Sequence, residues 1–205
     1  MRLDHRTIYD LVEPGSRVLD LGCGDGELLA LLFKGKGIRG QGVELSEQAV
    51  YKCVEKGVSV FHGDVESGLD GFPDQSFDTV ILNQSLQEVR NIGLVLREAL
   101  RVGRYAVVGL PNFAHVRARW TLFFGGRAPI TPSLPYDWSE SPNVRFMSMV
   151  DFRNFCMSKS FRILDSKYLG AHKRVAFWPN LFASNGIFLI DKNPNPGKQE
   201  PTGKD

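Results

Sequence analysis

One segment constrains the fold more than any other: Val18-Leu19-Asp20-Leu21-Gly22-Cys23-Gly24-Asp25-Gly26-Glu27-Leu28-Leu29, an apolar strand that enters a glycine turn and leaves as a helix. Glycine tolerates positive φ and has no Cβ, so such a turn lets backbone pass close beneath a ligand. A G-x-G-x-x-G spacing would suggest a dinucleotide. The spacing here is Gly22-x-Gly24-x-Gly26, with Asp20 ahead of the turn and Asp25 inside it. Two carboxylates would repel a pyrophosphate and suit a ligand carrying ammonium and sulfonium charge, which favours S-adenosylmethionine over a nicotinamide dinucleotide.

The same alternation continues along the chain. Short β-branched runs at 17–21, 40–45, 58–62, 77–82 and 105–110 are separated by helix-period segments at 27–33, 47–56 and 93–102, the pattern of a parallel sheet covered by crossover helices. Ser46 and Asn91 stand where N-caps are expected. Buried parallel strands should be almost continuously apolar, as Asp78-Thr79-Val80-Ile81-Leu82 and Tyr105–Leu110 are. Later runs at 161–169 and 186–190 supply further strands.

With 205 residues, 42% apolar and 23% charged, the chain has the size and composition of one globular domain, expected over 1–190. Residues 191–205, with three prolines and two glycines, are expected to be a mobile tail. A net charge of +2 is too mild to indicate a nucleic-acid binder and none is expected as a partner, although RNA contact through an Arg/aromatic surface stays open. No run approaches the roughly 18 apolar residues of a membrane helix, and Met1–Arg6 opens no secretory leader, so a cytoplasmic protein without membrane association is expected. Cys23, Cys53 and Cys156 lack metal-ligand spacing and suit reduced thiols; no metal site is expected.

Acidic residues recur where strands should end. Glu44 lies 22 positions after Gly22, where a carboxylate can accept both ribose hydroxyls; a solvated carboxylate capping the next helix is the alternative. Asp64 follows the third run and can accept from an adenine amine while Val65 covers a ring face; a plain Gly-Asp turn is the alternative. Open α/β sheets bind ligands at the carboxyl ends of their strands, and Asp20, Glu44 and Asp64 are three acids at successive ends.

Residues 15 to about 110 therefore resemble the class I S-adenosylmethionine-dependent methyltransferases through the glycine turn, Glu44, Asp64 and Phe77–Leu82. The resemblance implies an α/β, Rossmann-like, mostly parallel seven-stranded sheet in the order 3-2-1-4-5-7-6, with helices on both faces and an antiparallel seventh strand. It implies that Asp20, Gly22 and Gly24 line the methionine end of S-adenosylmethionine or S-adenosylhomocysteine, and that Asn83 and Gln84 border the departing methyl group. Cys23 and Leu45 adjoin these positions and complete the expected cofactor site. Cys23 is read as a small buried turn residue, because no His or Lys adjoins it in sequence to activate it.

The catalytic end is poorer. The fourth-strand exit, Leu82-Asn83-Gln84-Ser85-Leu86-Gln87-Glu88-Val89, lacks the Asn-Pro-Pro-aromatic run of amine and amide methyltransferases and the histidine that many small-molecule enzymes carry there. Glu88, His62 and His115 are the candidate bases, none convincing, and the catalytic residues stay unknown.

Residues 111–147 break the α/β rhythm. Four prolines fall in 129–142, a stretch that fits neither helix nor central strand, and an ordered excursion over the sheet edge is expected as a lid, an interface, or packing on its own domain. Nine aromatics lie in 113–155, and six arginines against one acid in 97–136 suit planar recognition of anions or an interface. Arg101-Val102-Gly103-Arg104, Leu110-Pro111-Asn112-Phe113-Ala114-His115, Arg119-Trp120, the run Leu134–Phe146 and Trp178-Pro179-Asn180-Leu181 all resemble the MetW family of methionine biosynthesis. That likeness spans nearly the whole chain and implies an accessory or regulatory partner of a homoserine O-acyltransferase (MetX-like) protein. An active methyltransferase on a small acceptor is the other reading.

Overall fold

The structure, a computed structural model, describes residues 1–192 apart from Gly68 and Pro132. Its elements are α1 (Leu3–Leu11), β1 (Arg17–Leu21), α2 (Glu27–Lys36), β2 (Arg39–Glu44), α3 (Glu47–Glu55), β3 (Val60–His62), β4 (Phe77–Asn83), α4 (Ile92–Val102), β5 (Gly103–Pro111), α5 (Val116–Gly125), α6 (Met149–Ser158), β6 (Phe161–Leu169), α7 (Pro179–Phe182) and β7 (Asn185–Lys192). The strands form one seven-stranded sheet in the order β3-β2-β1-β4-β5-β7-β6, as the resemblance implied. The first five strands are parallel, and β7 runs antiparallel between β5 and β6.

The central strands are apolar on both faces because helices cover both. Leu19, Leu21, Val80, Leu82 and Val108 face a cluster with Leu96 and Leu100 of α4 and Phe152 of α6. The alternate residues Val18, Ile81, Val107 and Ile187 face Ile8 of α1 and Leu28, Leu29 and Leu32 of α2. Helix starts follow local chemistry. Ser46 accepts from Ala49 N at the start of α3, Asn91 accepts from Leu94 N at the start of α4, and Ser148 with Asp151 forms a capping box on α6.

Two expectations need adjusting. Within 111–147 a regular helix, α5, precedes the proline-rich stretch; only Ala118 of it is buried, so it carries no amphipathic stripe for sequence inspection to detect. At the far end, Asp191 and Lys192, expected in the tail, continue β7 instead, paired with Arg162 and Phe161; the rest of the expected tail, residues 193–205, lies outside the described residues.

The excursion is pinned at its roots. Fully buried Asn112 donates through Nδ2 to Asn180 O (3.0 Å) and Ala183 O (2.8 Å), and its Oδ1 accepts from Ala114 N. At the return, Val144 N and Arg145 N both donate to Gln87 O, each at 3.0 Å. Removing the buried amide strands two carbonyls and one N–H. Asn112→Ala should therefore lower stability by about 2–3 kcal/mol in urea unfolding, and an unchanged midpoint would contradict this role.

Candidate functional site

At the C-terminal end of β1 three glycines in succession take the left-handed conformation, with φ of 74° at Gly22, 56° at Gly24 and 74° at Gly26. A Cβ on Gly22 would stand 2.6 Å from Ser85 Cβ, so the turn lies directly against the exit of β4, and Ser85 Oγ donates to Leu21 O to hold it there. At Gly24 a Cβ would meet nothing within 4 Å, which leaves the outer side of the turn open.

The turn is fixed to the next strand by Glu44. Its Oε2 accepts from Gly24 N and its Oε1 from Ser46 N, both at 2.8 Å. Each oxygen keeps a further lone pair, so the carboxylate can still accept two donors from a ligand. Gly63 N donates to Glu44 O, which sets the β3 exit beside it. Asp64 follows there, exposed, with Oδ1 accepting from Glu66 N at 2.8 Å; Val65 is partly buried against the core. Leu45, one residue beyond β2, is largely exposed, and its carbonyl contacts His62 Nε2.

Asp20 is the unusual group. It is 2% exposed, and no donor among the described residues reaches its carboxylate. Burial first, and the nearby charge of Glu44 second, push its pKa up to about 7. A cation is what such a carboxylate lacks. Asp25 is different: Lys56 Nζ lies 2.6 Å from its Oδ2, so of the two acids flanking the turn only Asp20 is free for a ligand's charge.

A cleft of about 130 Å³ brings together six of the expected residues, Asp20, Gly22, Cys23, Gly24, Asn83 and Gln84. Glu44, Leu45, Asp64 and Val65 lie outside its lining, along the strand ends beyond it. Two residues the sequence reading passed over, Arg2 and His5, roof the cleft from the start of α1. Asp4 fixes that roof: Asn83 Nδ2 donates to it at 3.1 Å and Arg2 pairs with it at 2.7 Å. Burial raises the Asp4 pKa, but the Asn83 hydrogen bond and the charges of Arg2 and His5 outweigh it and leave the group below the ordinary range. Burial likewise lowers the pKa of His5. Met1–Arg6 gave one usable signal, an acid in the first turn of a short helix, but nothing in its spacing indicated a docking place.

On the floor, the amides are incompletely satisfied. Asn83 Oδ1, Gln84 Nε2 and Gln87 Oε1 are buried without partners, and Gln84 holds a φ of 62°. Orphaned amides and a strained non-glycine residue mark a place where a ligand's polar groups are accommodated. The unpaired Asp20, the open side of Gly24 and these orphans fit the ammonium, carboxylate and ribose groups of S-adenosylmethionine.

The candidate bases fare less well. His115 Nδ1 accepts from Arg117 N as the cap of α5, and burial together with Arg117 lowers its pKa. His62 is spent on Leu45. Glu88 remains: partial burial and the charge of Glu44 raise its pKa. Cys23 and Cys53 lie with sulfurs 3.8 Å apart beneath the turn, and burial raises both thiol pKa values, so neither is an activated nucleophile. Among the described residues no cluster of metal-ligating side chains occurs and no helix is long and apolar enough to cross a membrane.

Comparison with known proteins bears on this geometry. The family described as "Methionine biosynthesis protein MetW" matches residues 2–190. The "Bifunctional methionine biosynthesis protein MetXA/MetW" of Rhodopirellula baltica is 37% identical over 163 residues, 75% of this chain but only 26% of that protein, so the chain spans about a quarter of this relative. Two solved structures share the fold: a methyltransferase from Thermotoga maritima described as a possible histamine N-methyltransferase (20% identity, TM-score 0.64), and one from Archaeoglobus fulgidus (19%, 0.66). Each comparison covers 93% of this chain and 91% of the other.

The titration of Asp20 makes a prediction. Its folded-state pKa lies near 7 against an ordinary value of 3.8, so the folded chain holds a proton that the unfolded chain has lost, and this group erodes stability as pH rises from about 4 to 7. Asp20→Asn should thus stabilise the ligand-free protein at pH 8 by about 4 kcal/mol, with little gain at pH 4, in denaturant titrations at the two pH values. Equal effects at both would contradict an unpaired carboxylate.

Proposed function

Since the chain belongs to the MetW family of methionine biosynthesis proteins, we propose that it is an S-adenosylmethionine-binding accessory subunit that supports a homoserine O-acyltransferase. The observation that carries this reading is the Rhodopirellula relative, whose name joins a MetXA portion to a MetW portion in one chain. Two segments joined in one protein work at high effective concentration, as partners in a complex do.

The cofactor half of the reading rests on the glycine turn. Asp20 would accept the ligand's ammonium charge, Gly22, Cys23 and Gly24 would let the methionine portion lie against backbone, and Glu44 would take the ribose hydroxyls on its free lone pairs. Asp64 would accept from the adenine amine, with Val65 and Leu45 against the ring and Asn83 and Gln84 at the methyl end. When bound, S-adenosylmethionine supplies an electron-poor methyl group on sulfonium; the chain's own residues bind and orient.

The partner half rests on α5 and the loop after it. Trp120 is 65% exposed, Phe123 82% and Trp138 77%. Phe124 packs in a tilted arrangement on Trp120 (centroids 4.2 Å) and edge-on against Phe123 (4.8 Å), and the three rings present an aromatic face to solvent. Faces of this kind, flanked here by Arg117 and Arg119, have the composition of protein interfaces. Binding of S-adenosylmethionine, which is made from methionine, would then report the supply of end product to an early enzyme. Such reporting requires the two ligands to be thermodynamically coupled.

Glu88 supports a second reading, an active methyltransferase acting on a small acceptor. Its raised pKa and its place after β4 suit a base, and the orphaned Gln84 and Gln87 amides nearby could hold an acceptor.

The experiment is the turnover of the cognate homoserine O-acyltransferase with and without this protein, across a titration of S-adenosylmethionine. The accessory reading expects activation, with Trp120→Ala and Phe123→Ala each weakening the complex about 10-fold or more. Absence of any effect and of co-purification, together with release of S-adenosylhomocysteine that Glu88→Gln suppresses, would move the assignment to the methyltransferase.

A further inference from the structure

A concavity of about 420 Å³ lies between the start of α4, the end of the excursion and the end of α6. Its volume falls within the roughly 300–1,000 Å³ of small-molecule sites. Arg90, Arg97, Arg145 and Lys159 line it, with Ile92, Gly93 and Phe155 as its less polar walls; no carboxylate is part of the lining. None of the four cations forms an ion pair among the described residues, whereas Arg2, Arg17, Arg101, Arg162 and Arg174 all do. Four cations converging on one cavity repel one another unless an anion joins them.

The backbone adds to the charge. Ile92 and Gly93 are the first two residues of the eleven-residue α4, and no acceptor is provided for their N–H groups, since the Asn91 cap is taken up by Leu94 and Val95. Glu66, the acid nearest this turn, has its carboxylate engaged by Arg90 N and Asn91 N, so it ties the loop down. A Cβ on Gly93 would stand 3.4 Å from Arg97 Nη1 and 3.8 Å from Phe155 Cζ, so the absence of a side chain there leaves room where guanidinium, ring and helix start converge. Arg145 is held in place by its own bond to Arg90 O at 2.6 Å.

We infer that this cavity is a second ligand site, separate from the glycine turn, that takes the diphosphate group of a small phosphorylated molecule. Planar guanidinium donors together with free N–H groups at a helix start match phosphate oxygens in both geometry and charge. Phe155 and Ile92 give the organic remainder of such a ligand an apolar wall. An occupant would bridge α4, α6 and the returning end of the excursion, three elements that here meet at positive charge.

The test is calorimetric binding of inorganic pyrophosphate and of ADP to the full chain, at constant ionic strength. Binding is expected for at least one of them, weakening with added salt. Arg97→Gln and Lys159→Gln, whose side chains bond nothing else described, should each weaken it about 10-fold or more while S-adenosylmethionine binding stays unchanged. ADP binding more tightly than pyrophosphate would assign an organic diphosphate, and equal affinities the free anion. Binding of neither probe, or equal affinity in both variants and the parent protein, would overturn the proposal.

Discussion

A single carboxylate organises the ligand-binding edge of this protein. Glu44 takes one hydrogen bond from Gly24 N and one from Ser46 N, and so ties the turn after β1 to the turn after β2. Around that tie, Ser85 Oγ donates to Leu21 O and holds Gly22 against the β4 exit, the Glu44 backbone carbonyl accepts from Gly63 N at the β3 exit, and the Glu44 charge adds to the effect of burial on the Asp20 pKa. Asp20 is consequently a buried acid whose ionised form is costly without a cation beside it, which is the environment that the proposed binding of a positively charged ligand would use.

The excursion obeys a different constraint. Its roots are hydrogen-bonded, through buried Asn112 at one end and, at the exposed return, through Val144 N and Arg145 N to Gln87 O. Along its middle, α5 buries only Ala118 and turns Trp120, Phe123 and Phe124 to solvent. A helix that contributes almost nothing to the core has no folding reason to carry three large aromatics, which is why the interface reading fits it better than the lid reading. Because Val144 and Arg145 are bonded to Gln87, just past the β4 exit, backbone hydrogen bonds join the excursion to the edge that carries the glycine turn, and under the proposed function this is where ligand and partner would be coupled.

Much of this was legible in the sequence wherever local chemistry and tertiary environment agree. The runs at 77–82 and 105–110 are apolar at their buried positions apart from Thr79 because both faces of a parallel sheet are covered, and the Ser46 and Asn91 caps mark their helices by side-chain type alone. The glycine turn, with Asp20 and Glu44, stood out because backbone conformation and ligand charge both restrict residue choice there. What escaped notice lacks a local signature. Helix α5 has no amphipathic stripe, and α1 is tied to the site by Asp4 and Asn83, 79 positions apart, a contact that only the fold creates. Asp25 matched the expected chemistry, yet a lysine from the end of α3 had already neutralised it. The basic cavity was hidden for the same reason: Arg90, Arg145 and Lys159 are remote in sequence and meet only when α4, the excursion and α6 pack together.

An accessory role of the proposed kind requires coupling between the glycine-turn edge and the partner-facing excursion. The most direct measurement is the affinity of S-adenosylmethionine for this protein, by calorimetry, in the absence and in the presence of saturating homoserine O-acyltransferase. An accessory subunit that reports ligand occupancy predicts a dissociation constant that changes at least fivefold when the acyltransferase is present, the lower end of ordinary allosteric coupling. Identical dissociation constants with a demonstrably formed complex would contradict it.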